Sequence, residues 1–344
     1  MRLKDRITSL DVARHAGVSQ SAVSRVFTPG ASASAKTAEK VRKVAEELGY
    51  RPNSLARAMV SGKSGIIGVV VAYLHNQFYP TALEKLSAQL QSRGYHVLIF
   101  MASQTSGNID DIVEEIIDYQ VDGIIAASVS LSSELTARCQ QVGVPLVLFN
   151  RSQDDPDIPA VTSNNYSGGF RVAEFLAAGR HQRIGYIAGW EGASTQRDRE
   201  RGFLAGLQKA GVNLFARGVG DFQSETARNV TLDMFTGNSI PDAVFVANDH
   251  MAFAVMDTLR YELGLRIPED VSVVGYDDVP AASWKSYSLT TVNQPADDMV
   301  EQAVTMLLAK IEGQISKTQK KEIEGALIIR ESAKIPEGWK DEGV

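Results

Sequence analysis

Two groups of side chains in this chain have the types and spacing to do chemistry. The first is Gln20, Ser21, Ser24 and Arg25, interleaved with Ala22, Val23 and Val26. At helical spacing the apolar residues fall on one face and the polar ones on the other. Carboxamide, hydroxyl and guanidinium groups near the start of an exposed helix are hydrogen-bonding partners for base edges in the DNA major groove. The second group follows the ends of short apolar runs: His75-Asn76-Gln77-Phe78-Tyr79, Asn150-Arg151, the stretch Arg197 to Phe203, Asp221-Phe222, Asn248-Asp249 and Asn293-Gln294-Pro295. Such residues suit a small ligand. Carboxylates accept from hydroxyls or N–H groups, guanidinium donates in a rigid fork, and an aromatic face packs on the apolar side of a ring.

The first group is positioned by a small set of helices. Thr8 with Asp11 three residues on forms a capping box, and Val12, Ala13 and Ala16 give the helix that follows an apolar stripe. Gly17 tolerates the positive φ that ends a helix and turns the chain, and Ser19 can cap the next one. Two short helices joined by a glycine turn make a helix-turn-helix. Ser34 caps a third helix with Val41, Val44, Ala45 and Leu48 facing inward, closed by Gly49. On this reading Gln20, Ser21 and Arg25 reach base edges, while Thr8, Ser19, Thr28, Ser34 and Tyr50 hold phosphates or support the docked helix. Charge agrees with this. The chain has a net charge of −6, yet residues 1–64 carry twelve Lys/Arg against five Asp/Glu, while the rest carries 23 against 36. A basic module on an acidic body is the footprint of a DNA reader joined to a sensor.

From Ile66 onward, compact β-branched runs alternate with amphipathic helices. Strands are expected at 66–72, 96–101, 123–126 and 144–149, with helices near 79–93, 108–119 and 132–142. The cycle repeats with helices at 165–178, 197–210, 224–236 and 250–263, and strands at 184–188, 216–220, 243–247 and 271–275. Two such sets predict two similar α/β lobes with parallel sheets. Chain crossings are expected at Val161 to Asn164, at Leu289 to Val292, and before Ile323. The expected organisation is a DNA-binding headpiece over 1–52, a hinge helix and linker over 53–65, and a core over 66–332. Lobe 1 takes about 66–162 plus 292–320, and lobe 2 about 163–290 plus 322–332; a loose tail follows from 333 to 344. Gly62-Lys63-Ser64 imitates the end of a phosphate-binding loop, but Arg57 stands where its first glycine belongs, and the stretch precedes a strand.

Asp11-Val12-Ala13, Ala16 to Ser19, Val23 to Val26, Ser34 to Thr37 and Tyr50-Arg51-Pro52-Asn53 resemble the headpiece of the LacI/GalR family of bacterial repressors, without a gap from Ile7 to about Ser61. Residues 61–332 resemble the periplasmic-binding-protein-like core of the same family. The resemblance implies a homodimer whose headpieces read a pseudo-palindromic double-stranded operator, and a core that binds a metabolite between its lobes. It implies that Arg199, three residues before Gly202-Phe203, grips the ligand, with Asp249 as its acidic partner and Phe222 as a stacking face. Phe78 and Tyr79 match contacts of the first loop, and Asn150 and Gln294 join them as strand-end and crossing residues. It also implies a hinge segment that folds on the operator and inserts Ala56 and Met59 into the minor groove. The family usually has leucine at the second position, and methionine can serve as a wedge there too.

Other classes find little support. Cys139 is the single cysteine, which rules out a disulfide framework or a cysteine-rich metal site. The five histidines have no close metal-ligand spacing, and neither a Gly-x-Ser-x-Gly elbow nor a Gly-x-Gly-x-x-Gly fingerprint occurs. No catalytic residue, metal or cofactor is expected. Met1 to Arg6 leads into no apolar signal core, and no run reaches the ~18 apolar residues of a membrane span, so a cytoplasmic protein with no membrane partner is expected. The effector expected is a sugar or sugar derivative, with a purine-like or other non-sugar molecule as the alternative. A free-standing solute-binding protein would need an export signal and lack the headpiece. A sugar-modifying enzyme would turn over the sugar it binds.

Overall fold

The structure is a computed structural model and describes residues 7–28, 31–51, 63–102, 109–128, 133–153, 155, 157–314 and 320–339. Contacts divide the chain into two units, Met1–Gly65 and Ile66–Val344.

The first unit is built on α1 (Ser9–Ala16), α2 (Gln20–Phe27) and α3 (Ala35–Leu48). The Thr8 hydroxyl accepts from the Asp11 N–H, and the Asp11 carboxylate accepts from the Thr8 N–H, completing the capping box. Gly17 adopts φ 59°, where its N–H closes α1 and the chain turns into α2. Val12, Ala13, Ala16, Val23, Val26, Val41 and Ala45 form the core, with Tyr50 packed at its edge.

The second unit has two sheets of the same winding. The first runs in the order β11-β5-β4-β3-β1-β2 and the second β12-β10-β9-β8-β6-β7. In chain order the strands are β1 (Ile66–Val71), β2 (His96–Met101), β3 (Gly123–Ala127), β4 (Leu146–Phe149), β5 (Ala160–Ser163), β6 (Ile184–Ala188), β7 (Leu214–Val219), β8 (Ala243–Val246), β9 (Ser272–Asp277), β10 (Thr290–Asn293), β11 (Lys320–Ile323) and β12 (Leu327–Ile328). Among the described residues every pairing is parallel except β12 on β10. Parallel strands buried on both faces explain the unbroken β-branched runs. Their crossover helices are α4 (Phe78–Ser92), α5 (Ile109–Asp118), α6 (Ser133–Gln141), α7 (Asn165–Ala178), α8 (Ser194–Lys209), α9 (Ser224–Met234), α10 (Asp249–Asp257) and α11 (Ala296–Ile311). None of the described helices is long and apolar enough to cross a membrane.

Several details differ from the expectation. Leu289 to Val292 is not a crossing: β10 lies in the second sheet beside β9, and the chain crosses after Asn293. β11 belongs to the first sheet through β5, so the chain returns to the second lobe after Ile323 rather than before it. The tail is packed as far as Trp339, whose ring meets Phe175 edge-on at 5.2 Å, since burying an indole against a ring outweighs leaving it in water. Within 292–320, where no element is expected from the sequence, lies helix α11. Its Met299, Val300, Ala303, Val304 and Leu307 bury against the first lobe.

The registers bring the carboxyl ends of the strands level. Val71 lies opposite Ala127, and Ala127 opposite Phe149, so the residues that follow β1, β3 and β4 share one edge. In the second sheet Ile187 faces Val246, and Asp277 faces Asn293. Ligands of doubly wound sheets bind beyond such edges.

Candidate functional site

In the first unit the side chains expected to read DNA lie on the solvent face of α2: Gln20, Ser21, Ser24 and Arg25 are all exposed. Gln20 Nε2 donates to Ser9 Oγ at 3.0 Å, tying α2 to α1, and Arg25 Nε donates to the Ser21 carbonyl at 3.3 Å. Thr8, Ser19 and Ser34 cap the three helices, accepting from Asp11, Ala22 and Thr37 N–H groups. Thr28 Oγ1 donates to the Ser24 carbonyl, and the Tyr50 ring packs on Phe27 with centroids 5.9 Å apart. All five make contacts that hold the helices of this unit together. Ala56 and Met59 lie outside the described residues.

In the second unit the strand ends of both lobes converge on one buried cluster centred on Asp277. Its Oδ1 accepts from Gln294 Nε2 at 2.6 Å and lies 3.5 Å from an Arg199 terminal nitrogen; its Oδ2 accepts from Asn76 Nδ2 at 2.8 Å. Arg199 is only 2% exposed. Its Nε donates to Asn165 Oδ1 at 2.8 Å, a terminal nitrogen donates to the Ala247 carbonyl, and the guanidinium lies 3.6 Å from the centre of the Tyr276 ring. Ser163 Oγ donates to Gln294 Oε1 at 3.0 Å. Helix α8 carries Arg199 close to α7, because Gly169 and Gly202 leave room for backbone: a Cβ at either would sit 2.1 or 2.0 Å from a facing carbonyl oxygen.

Burial pushes the Asp277 carboxyl up to about 6, against the pull of Arg199 and the hydrogen bonds from Asn76 and Gln294. Asp249 is raised further, first by burial and then by repulsion from Asp277. The acid facing Arg199 is thus Asp277, and the expected pairing of Arg199 with Asp249 is corrected. Asp249 sits behind β9, where Gly275 leaves space for it, and accepts from the Val279 N–H at 3.0 Å and Thr291 Oγ1 at 2.6 Å. It holds the chain that follows Asp277. Nor does it cap α10: Asn248 does, accepting from the Met251 N–H at 2.9 Å.

The remaining expected residues fall into two sets. Tyr79 and Asn150 meet at the first-lobe edge, Asn150 Nδ2 donating to the Tyr79 hydroxyl at 2.8 Å. Phe222 is buried over Gly189, at φ 59°, where its ring meets the Arg151 guanidinium. Phe78 belongs instead to the first-lobe core, stacked on Phe149 with centroids 6.3 Å apart, because it opens α4 pointing at the sheet.

Asp277, Asn76, Arg151 and Asn248 were not singled out, although the last three lie in the strand-end stretches. Asp277 escaped because the strand was expected to stop at Gly275; it runs two residues further. Two features set this edge apart. Four buried polar atoms here have no hydrogen-bond partner among the described residues: Ser128 Oγ, Asn150 Oδ1, Arg151 Nε and Asn248 Nδ2. Residues Ser128, Asn150, Asp221, Phe222, Asp277 and Asp278, all at strand ends, have positive φ. Backbone of that kind costs roughly 1–3 kcal/mol per residue and concentrates where ligands are held.

Residues 8–53 match the family described as bacterial regulatory proteins, lacI family, and residues 172–333 match the periplasmic binding protein-like domain. The ribose operon repressor of Escherichia coli (strain K12) is 30% identical over 331 residues, covering 95% of this chain and 99% of that protein. The HTH-type transcriptional repressor PurR of Vibrio vulnificus (strain CMCP6) is 28% identical over 330 residues, covering 95% and 98%. A lac repressor dimer bound to operator and the anti-inducer ONPF superposes with a TM-score of 0.86 at 28% identity, covering 95% of this chain and 99% of that one. Because these similarities run through the helix-turn-helix and the two-lobed core alike, the chain belongs to the lacI family of bacterial regulatory proteins.

Proposed function

We propose that the protein is a transcriptional repressor that binds a pseudo-palindromic operator as a homodimer in the cytoplasm, and that a sugar or sugar derivative bound between its core lobes controls it. The observation that carries the effector reading is the Arg199–Asp277 pair at the strand edge, surrounded by carboxamides and bordered by Phe222. A polyol asks for that combination: an acceptor for its hydroxyls, donors for its oxygens, and a flat face for its C–H side. Gln20, Ser21 and Arg25 are the base readers in this reading, with Thr8, Ser19, Thr28, Ser34 and Tyr50 in support and Ala56 and Met59 in the minor groove. The pocket is formed by Asn76, Tyr79, Asn150, Arg151, Arg199, Phe222, Asn248, Asp277 and Gln294, with Phe78 and Asp249 holding its walls.

Homodimerisation is supported by the free edge of the first sheet. β2 is its last strand, and Ile99 and Met101 are half exposed there. Edges of that kind invite pairing with a second chain.

A flat nitrogen heterocycle is the second reading, favoured by the Phe222 face beside a carboxyl that can accept an N–H. Thermal denaturation against a panel of sugars, sugar derivatives and purine bases separates the two. A ligand at 100 times its dissociation constant stabilises by about 2.7 kcal/mol. The same ligand should change the affinity for duplexes selected by the protein from a random library, and those duplexes should be pseudo-palindromic. Chemical turnover of the stabilising sugar would refute a purely regulatory site.

A further inference from the structure

Arg151 is a buried cation without a counter-ion among the described residues. It follows β4 in the first lobe, is 7% exposed, and makes no hydrogen bond or ion pair to the described residues. Its guanidinium carbon lies 5.5 Å from the centre of the Trp190 ring and 5.9 Å from that of Phe222, both in the second lobe. Next to it, the Ser152 N–H donates to Ser194 Oγ at 3.0 Å, so this is a point where the lobes meet.

Most of the nearby acids among the described residues are committed elsewhere. Asp277 serves Arg199, Asn76 and Gln294. Asp249 serves Val279 and Thr291, and Asp278 pairs with Arg330 at 2.7 Å. Glu191, beside Trp190, and Glu200 both pair with Arg217. Asp221, beside Phe222, forms no ion pair among the described residues. Among the described residues, the two guanidinium groups at this strand edge make one ion pair between them, that of Arg199 with Asp277. Ring faces weaken the desolvation of a cation but do not replace a charge-assisted hydrogen bond. A buried charge left in that state is costly, and a ligand that supplies its partner recovers the difference.

We infer that the effector is an anionic sugar, a sugar phosphate or a sugar acid, whose negative group is held by Arg151 against Trp190 and Phe222 while its hydroxyls engage Asp277 and Arg199. This rests on the sugar reading of the site given above. A phosphate and a carboxylate share the chemistry that Arg151 recognises, two or more acceptor oxygens in the plane of its fork.

The test is calorimetric titration of the intact protein with matched probes: D-glucose against glucose 6-phosphate and D-gluconate, D-ribose against ribose 5-phosphate, and D-fructose against fructose 1-phosphate. The expected result is that at least one anion binds roughly ten- to hundred-fold more tightly than its neutral twin, the range a charged hydrogen bond supplies. Which arm gains, phosphate or carboxylate, identifies the source of the charge. Arg151→Gln should bring the twins to within about threefold of each other, and Arg151→Lys should keep most of the preference. Neutral sugars binding as tightly as their anionic twins would overturn the anion while leaving the sugar reading standing. Equal losses for both twins in Arg151→Gln would overturn it too, by making Arg151 a wall residue. Binding of a purine base in place of every sugar would overturn both readings. The wild-type comparison needs no variant to fold.

Discussion

Arg199→Met keeps much of the volume of the arginine stem and removes its charge. In the wild type the guanidinium is buried between Asp277, Asn165, the Ala247 carbonyl and the Tyr276 ring. Removing one partner of a buried pair costs about 3–5 kcal/mol, most of it from the charge left behind. Here that charge can be discharged. Burial already raises the Asp277 carboxyl to about 6, and losing Arg199 removes the largest influence holding it down. Its folded value then exceeds the unfolded one by more than in the wild type, so the folded variant binds an extra proton as pH falls. Stability of the variant falls as pH rises through that folded value and is recovered as pH drops. One pKa unit corresponds to about 1.36 kcal/mol. Between about pH 7.5 and about pH 6, where the wild-type group begins to titrate, the deficit should shrink by up to about 2 kcal/mol. Urea denaturation followed by far-ultraviolet circular dichroism at both pH values measures it. A deficit that is the same at both, or no deficit at all, would refute the assignment of Asp277 as the charge facing Arg199.

Three further outcomes are expected. Arg25→Ala should cost roughly 1–3 kcal/mol on the selected operator and much less on random DNA, as a base contact does; equal losses at fixed salt would make Arg25 a phosphate contact. Asp249→Asn keeps an acceptor for Val279 and a donor for Thr291, and it cannot ionise. Because the Asp249 carboxyl is raised, wild-type stability from this group falls as pH increases, so the melting temperature of the variant should meet or exceed wild type, by a margin that grows with pH; a margin that shrinks with pH would mean the carboxylate is charged in place. Ile99→Lys puts a charge on the half-exposed edge of β2 and should shift sedimentation toward monomer, and an unchanged dimer would place the interface elsewhere.

Much of the fold was legible because its signals are local. Thr8 with Asp11, Gly17, Ser19, Ser34 and Gly49 each act within a few residues, and the structure uses each in the way its type dictates. The buried parallel strands announce themselves in the same way, as apolar runs. The errors came where partners are distant in sequence. Whether Thr290 to Asn293 is a strand or a crossing depends on its neighbour β9, and nothing within the stretch says so. The site was half legible for the same reason. A strand-end rule finds Asn150, Phe222 and Arg199, but choosing between Asp249 and Asp277 needs the knowledge that Thr291 and Val279 already occupy the first. That Arg151 has no counter-ion among the described residues can be read only from the three-dimensional arrangement of the acids around it.

The division of the pocket between lobes decides which contacts can regulate. A ligand shifts an equilibrium only through contacts that differ between its two states, however tightly it binds. Asn150 with Tyr79 lies within the first lobe, and Arg199 with Asn165 within the second, so on the proposed reading these groups would contribute affinity whether or not the lobes meet. Asn76 on Asp277, Gln77 Oε1 accepting from the Ala281 N–H at 3.3 Å, Ser152 on Ser194, and Arg151 against Trp190 and Phe222 exist only when they do. Moving a two-state population from one extreme to the other takes about 5.5 kcal/mol of differential binding. Two or three hydrogen bonds to charged groups, at about 1.5–3 kcal/mol each, reach that figure. On the proposed reading, a ligand group held by Arg151 at the lobe interface would bias the switch, and ligand groups confined to one lobe would set only the concentration at which it operates.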